Sequence, residues 1–307
     1  MRQEMETLKA ENRKDHVWST EAFTALTEPG TLWAKKKGLI QPEDLSGVEK
    51  VQLGKVFEEP IMKAFSARHG INFKAADYPM YHPTVAMASH FDFIAEDGKT
   101  LYEIKNLGVG QKKYYGDDGS DHIHPRYRAQ TLHEAACHGI RDVVLVVCFG
   151  GETIQHFPMS YSEDEITAHV QAMAKFWATV IEDVKPENLP EEAIRAMFPV
   201  SRASSVVATA QVIQACRVLD EIRAQMKRLE GDKEDPAPGT EIWCRKLIMS
   251  YMNQNDTLMD VDGSVLATFK SAKGSKKFNM ERFKKDNPSL YEMYLDETEG
   301  SRRFLLK

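Results

Sequence analysis

The chain has 307 residues, 42% hydrophobic and 28% charged, a balance that fits a folded globular protein with one large or two smaller cores and excludes disordered and collagen-like classes. A formal net charge of -6 gives no overall attraction to nucleic acid, so any such binding has to come from local patches. No apolar run approaches the ~18-20 residues that span a bilayer, and the charged opening "MRQEMETLKAENRKDH" lacks the apolar stretch of a secretory signal, so a cytoplasmic protein with no membrane partner is expected.

Taken in chain order, Ser19 or Thr20 can cap a short helix, which Glu28-Pro29-Gly30 ends before a second one begins. From Gly47 to Arg68 the apolar residues Val51, Phe57, Ile61, Ala64 and Phe65 recur near a 3.6 period, which predicts a helix bent at Pro60 with Gly70 just beyond it. Two alternating runs, His90 to Ala95 and Thr100 to Lys105, flank Asp97-Gly98, a strong hairpin signal. Pro125 opens a helical stretch that ends at Gly139, and "RDVVLVVCFGGETIQHFPM" reads as strand, Gly-Gly turn and strand. A helix over about 162–183 completes an α/β core with a central mixed sheet flanked by helices.

Beyond Val184 no strand is expected until about Ser264. Val206, Ile213, Cys216, Leu219, Ile222, Met226 and Leu229 mark one long amphipathic helix over 204–230, and a second at about 240–253 makes a helical hairpin. An Asp-Gly turn and a small β-ribbon follow. The last stretch, 266–307, carries 10 Lys/Arg against 6 Asp/Glu, the reverse of the whole chain. The expected domains are therefore 1–185, the core, and 186–307, a helical-hairpin arm with a basic tail.

The hairpin poses a chemical question. Counting outward from Asp97-Gly98 sets Asp92 opposite Glu103, and like charges facing across a ladder are destabilising unless something positive sits between them. Glu103 and Lys105 lie on one face because side chains alternate. A hard divalent cation would turn the repulsion into a site, since Mg²⁺ is commonly held by one or two carboxylates and waters. With a lysine beside the metal, the chemistry points to phosphodiester hydrolysis. The plainer reading is a solvated hairpin face whose Lys105 and Lys99 neutralise the acids. Companions bear on the choice: Gly54 and Glu58 one helical turn apart, and Tyr127 and Gln130 three residues apart early in a helix, with Arg126 and Arg128 available to phosphates.

In this order, Gly54-x-x-x-Glu58, Asp92, Glu103-Ile104-Lys105 and Tyr127-x-x-Gln130 resemble the lambda-exonuclease / YqaJ viral recombinase family of the PD-(D/E)xK nuclease superfamily, with further matches at "LWAKKKG", His82-Pro83 and "RRFLL". The resemblance covers most of 17–183 and, more loosely, the tail. It implies a PD-(D/E)xK restriction-endonuclease-like fold. It also implies a deoxyribonuclease using Mg²⁺, two ions per site and replaceable by Mn²⁺, that resects linear duplex ends 5′→3′ and leaves 3′ overhangs for a single-strand annealing protein. Asp92, Glu103 and the Ile104 carbonyl would ligate metal, Glu58 would approach the second ion or its water, Lys105 would orient the attacking water, and Gln130 would steady Lys105 and the substrate. A trimeric ring enclosing the DNA is implied, as is a phage or prophage source. The family often introduces its first helix with Arg-x-Gly, whose arginine helps hold a 5′-phosphate; Lys14-Asp15-His16 stands there instead. Lys14, Ser19, Lys35, Lys36, Tyr127 and Arg128 in the core, and Lys273, Lys276 and Lys277 in the tail, are the expected DNA contacts. A structure- or nick-directed endonuclease and a non-catalytic recombination scaffold are the alternatives.

Other residues are less eloquent. Asp121, His122, His124, His133, Cys137 and His138 match no standard zinc spacing. Cys137, Cys148, Cys216 and Cys244 form no C-x-x-C pair, which argues against a zinc ribbon, a disulfide framework or an iron-sulfur cluster, and they are expected to be reduced and buried.

Overall fold

The computed structural model describes residues 13–306 except 42, 46, 77, 203–204 and 297–301; most of the charged opening, the single residue 204 of the expected 204–230 helix and the terminal Lys307 fall outside the described residues. Two compact units result, Met1–Pro199 and Val200–Lys307. The division falls later than 185 because a helix beyond that point belongs to the first core. Asn188 passes so close over Gly30 that a Cβ there would lie 2.0 Å from the Asn188 carbonyl oxygen. The following helix, Glu191–Met197, buries Ala193 completely among Trp33, Met173 and Phe176.

The first unit is built on a five-stranded mixed sheet of order β2-β5-β6-β7-β8, comprising Phe73–Ala75, Phe93–Ala95, Thr100–Leu107, Asp142–Phe149 and Thr153–Ser160. β6 and β7 run parallel over their whole length, and the other neighbours are antiparallel. A second sheet of order β1-β4-β3 joins Val17–Trp18, Met87–Ser89 and Met80–Tyr81. Strands of two or three residues carry too little alternation to be seen in a sequence, and β1 to β4 were not anticipated.

Helices α1 (Ala22–Thr27), α2 (Pro29–Lys36), α3 (Glu49–His69), α4 (Pro125–His138), α5 (Glu163–Ile181) and α6 (Glu191–Met197) complete the unit. α3 runs on through Pro60 and stops at Gly70, which adopts φ 66, a left-handed value that a glycine takes without a Cβ penalty. Its Ile61, Met62 and Phe65 bury against Phe93, Tyr102 and Ile104 on one face of the sheet. The opposite face, with Leu101, Val143, Leu145 and Val147, packs toward Ala135 of α4. α5 begins with a capping box in which Ser162 and Glu165 satisfy each other's backbone N–H groups. It packs with α2 and α4 through Met173, Phe176, Leu32, Trp33 and Cys137.

In the second unit α7 (Ala210–Glu230) and α8 (Glu241–Met252) form a pair of helices, α7 starting later than the expected 204 because Thr209 caps it and leaves Val206 outside, and β9 (Thr257–Met259) pairs antiparallel with β10 (Val265–Thr268). β9 begins earlier than the strand expected from Ser264. α9 (Met280–Asp286) and α10 (Pro288–Met293) follow. Cys137 and Cys148 are buried as expected, whereas Cys216 is exposed because α7 buries none of its residues.

Candidate active site

The hairpin carries the site. Phe93 pairs with Tyr102 and Ile94 with Leu101, the register counted from the sequence. The turn differs in type: Gly98 N–H donates to the Ala95 carbonyl at 2.9 Å, and Gly98 has φ 73. Glu96 and Asp97 are thus the central residues of a turn closed by a left-handed glycine, and the loop is two residues longer than a minimal hairpin. Adding one residue on each side leaves the facing pairs unchanged, so the count survives the error.

Asp92 stands just before β5, and there its carboxylate replaces the ladder. Ile104 N–H donates to Asp92 Oδ2 at 2.8 Å. The Ile104 carbonyl leaves the strand on the same side as its N–H, toward Asp92. On β6, alternation turns Tyr102 and Ile104 toward α3 and sends Leu101, Glu103 and Lys105 to the α4 face. Glu103 is only 3% exposed, so this is not the solvated face of the plainer reading. Its Oε1 contacts Lys105 Nζ and accepts from Gln130 Nε2 at 2.6 Å, while its Oε2 is buried with no partner. Gln130 Nε2 also donates to Glu134 Oε1 at 2.9 Å, and Glu134 is fully buried with Oε2 unpartnered. The Tyr127 ring lies 5.8 Å from Lys105 Nζ.

These acids raise one another's proton affinity. Burial, then the Glu103 charge, pushes Asp92 well above the carboxylate range. Burial and Glu103 also push Glu134 well up, and the same two causes raise half-buried Glu58. Burial alone would lower Lys105, but the Glu103 and Asp92 carboxylates outweigh it and hold the ammonium above its ordinary value. One lysine faces several acids, and the cluster is short of positive charge.

Among the described residues no three His, Cys, Asp or Glu side chains form a ready-made metal cage. The donor set is of another kind: facing carboxylates, a free buried Glu103 oxygen and a carbonyl directed to the same edge. That set fits Mg²⁺, which keeps several waters and needs few protein oxygens.

The remaining expected residues fall into groups. Glu58, on α3, feels Glu103 and Lys105 directly. A Cβ on Gly54, one turn earlier, would meet nothing within 4 Å. Arg128 is half-buried and held between Asp121 at 3.8 Å and Glu165 at 3.5 Å. Lys14 and Lys35 are exposed, as are Lys273, Lys276 and Lys277 in the second unit.

The expectation that Lys36 meets phosphate does not hold. It is 8% exposed, its ammonium 2.6 Å from Glu21 and bonded to the Arg13 carbonyl, so it braces the N-terminal segment. Ser19, at 2% exposure, is likewise too buried to contact DNA. His133 pairs with His169 at 3.1 Å inside the core, and His138 packs edge-on against Phe91. Glu134 went unnoticed in the sequence, although a second polar residue four positions after Gln130 lies on the same helical face.

No family model matches the sequence, and no curated protein matches it. Among solved structures, an alkaline exonuclease from Laribacter hongkongensis is similar with a TM-score of 0.46 at 15% identity, over 56% of this chain and 90% of that one. The same enzyme in complex with dAMP gives 0.45 at 15% identity, over 56% and 90%. A phage-related exonuclease from Haemophilus somnus gives 0.40 at 12% identity, over 55% and 96%. At these identities and TM-scores the likeness assigns neither residues nor activity.

Proposed function

We propose that this protein is a Mg²⁺-dependent deoxyribonuclease, a 5′→3′ exonuclease that resects linear duplex ends to 3′ overhangs. The observation that carries the reading is the meeting of buried Glu103 with half-buried Asp92 and Lys105, with an unpartnered Glu103 oxygen and an Asp92 whose charge is disfavoured. Uncompensated buried acids are costly, and folds retain them where a ligand supplies the missing charge.

Asp92, Glu103 and the Ile104 carbonyl would hold the metal, with Glu58 toward a second ion; Mn²⁺ would serve in place of Mg²⁺. When bound, the metal would offset charge on the phosphate oxygens and lower the pKa of a water. Lys105, paired with Glu103, would orient the attacking water or donate to a phosphate oxygen. Gln130 fixes the Glu103 carboxylate through its amide N–H. The polarity, the 3′ product, the ring-shaped oligomer and the annealing partner come from the motif resemblance.

End-labelled linear duplexes with and without a 5′-phosphate, digested in Mg²⁺ beside a covalently closed circle, test the reading. Mononucleotide release from 5′ ends with the circle intact is expected. Rapid linearisation of the circle would make it an endonuclease, and full activity of Lys105→Ala would refute the assigned chemistry.

A further inference from the structure

The two elements that carry the site, β6 and α4, are joined by the segment 108–124, and its sequence "GQKKYYG" places two lysines against two tyrosines. Both ends of its exposed part are tied down. Gly150 N–H donates to the Leu107 carbonyl at 2.7 Å, and Val109 sits so close that a Cβ on Gly150 would lie 2.3 Å from its methyl group. At the other end Tyr115 is buried, with ring centroids 5.2 Å from Phe149 and 5.4 Å from Phe157. Between these anchors a 3-10 helix, Val109–Tyr114, presents Lys112, Lys113 and Tyr114 to solvent.

The tethered turn points a row of rings toward the reacting lysine. Tyr114, 45% exposed, meets His124 edge to face at 5.8 Å; His124 meets Tyr127 at 6.3 Å; and Tyr127 lies 5.8 Å from Lys105 Nζ. His124 Nδ1 is fixed by the Arg126 N–H at 3.2 Å, which holds its ring in place. Among the described residues neither Lys112 nor Lys113 has a carboxylate partner. Lys113 Nζ rests over the Tyr114 ring at 5.0 Å, an exposed contact of the sort that is cheaply exchanged. The acids of the same segment are engaged at its far end, Asp118 by His156 at 2.8 Å and Asp121 by Arg128 at 3.8 Å; exposed Asp117 is the exception.

We infer that Lys112, Lys113 and Tyr114, continued inward by His124 and Tyr127, form a binding platform for an unpaired DNA strand leading to the site. The inference rests on the nuclease reading and names how that site takes its substrate. A base stacks on Tyr114, displacing Lys113, which swings with Lys112 onto the flanking phosphates. Aromatic stacking together with free cations is the physical basis of sequence-independent single-strand binding. A duplex keeps its bases stacked on each other and offers the ring nothing, so the platform favours a strand already separated.

Fluorescence anisotropy in EDTA, where no turnover interferes, reads this directly with a short labelled single-stranded oligodeoxynucleotide of mixed sequence and with a blunt duplex. Tyr114→Ala is expected to weaken single-strand binding about 5- to 100-fold, with little effect on the duplex, while Tyr114→Phe binds as the wild type does. Joint Lys112→Gln and Lys113→Gln substitution should flatten the single-strand salt dependence by about 1.4. Tyr114 is exposed, so unchanged thermal melts are expected for all variants. Wild-type affinity and salt slope in both variants, from a protein that binds and cleaves DNA, would overturn the platform alone. A wild type that binds through Tyr114 but never cleaves in Mg²⁺ or Mn²⁺ would uphold the platform and overturn the nuclease reading. A wild type with no affinity for either oligonucleotide would overturn both.

Discussion

Replacing Asp92 with asparagine separates the electrostatic role of this residue from its structural one. The amide oxygen can still accept from Ile104 N–H, now at 2.8 Å, but the charge facing Glu103 is gone. Two like charges ~5 Å apart repel by ~3 kcal/mol at an effective dielectric of ~20. The Lys105 ammonium offsets part of this, so a net gain of about 1–2 kcal/mol is expected, or about 2–8 °C in melting temperature for a domain of this size. The sign with pH follows from the raised Asp92 value. The folded wild type binds a proton more tightly than the unfolded chain, so it loses stability as pH rises through the folded Asp92 pKa and recovers it in acid. The asparagine variant should therefore exceed the wild type near pH 7–8 in EDTA, and the gap should close below about pH 4, near the unfolded carboxylate pKa. Thermal melts at the two pH values, with nuclease assays in Mg²⁺, give the comparison. An Asp92→Asn protein that melts below the wild type at neutral pH in EDTA, or that still cleaves, would refute the reasoning.

Two further outcomes concern buried polar groups other than Asp92 and Glu103. Burial lowers His169 to about 4, and burial with the neighbouring His169 ring lowers its partner His133. Both histidines take up protons on unfolding, so stability should fall as pH drops from about 6.5 toward 4, by ~3 kcal/mol from His169 alone, and in denaturant titrations stability should fall less steeply with pH for His169→Gln than for the wild type in that window, with parallel slopes above it. Glu134→Gln keeps an acceptor for the Gln130 amide and should cleave as the wild type does, whereas Glu134→Ala frees that amide and should lower kcat about 10- to 100-fold with KM little changed; equal activity in both variants would remove Glu134 from the positioning of Gln130.

The sequence was most legible where local rules act alone. α5 starts at its Ser162 capping box, α3 and α4 end at Gly70 and Gly139, and the hairpin register follows from parity even though the turn type does not. Sequence separation hid the rest. Lys36 belongs to a lysine run that reads as a solvated patch, yet a partner fifteen positions earlier, Glu21, draws it inside and makes it a strut. Ser19 looked like an accessible cap and is covered instead. Glu134 was invisible for the opposite reason: a glutamate in a helix is ordinarily a surface residue, and only the approach of β6 beneath α4 makes it a buried acceptor. The candidate site was thus legible at the positions whose chemistry is odd in isolation, Asp92 beside Glu103, and illegible where an ordinary residue becomes odd through its neighbours.

The second unit extends this contrast to the question of DNA contacts. Between β10, which ends at Thr268, and α9, which starts at Met280, the chain has no regular structure, and Lys270, Lys273, Lys276 and Lys277 are all exposed. Among the described residues none of the four has a carboxylate partner, whereas in the helix that follows Arg282 pairs with Asp286 at 3.3 Å and Lys284 rests 4.9 Å from the Tyr291 ring. Cations used for folding are engaged in this way; unengaged ones on an irregular strand keep their charge available to a polyanion at little conformational cost. Joint substitution of Lys273, Lys276 and Lys277 by alanine should therefore flatten the salt dependence of duplex binding by up to ~2.7, at ~0.9 per phosphate contact, without moving the melting temperature. Anisotropy across a salt series measures the slope, and sedimentation reports the oligomeric state in parallel. Unchanged affinity and slope, with the oligomeric state unaltered, would leave this segment a structural element and place the burden of DNA binding on the first unit.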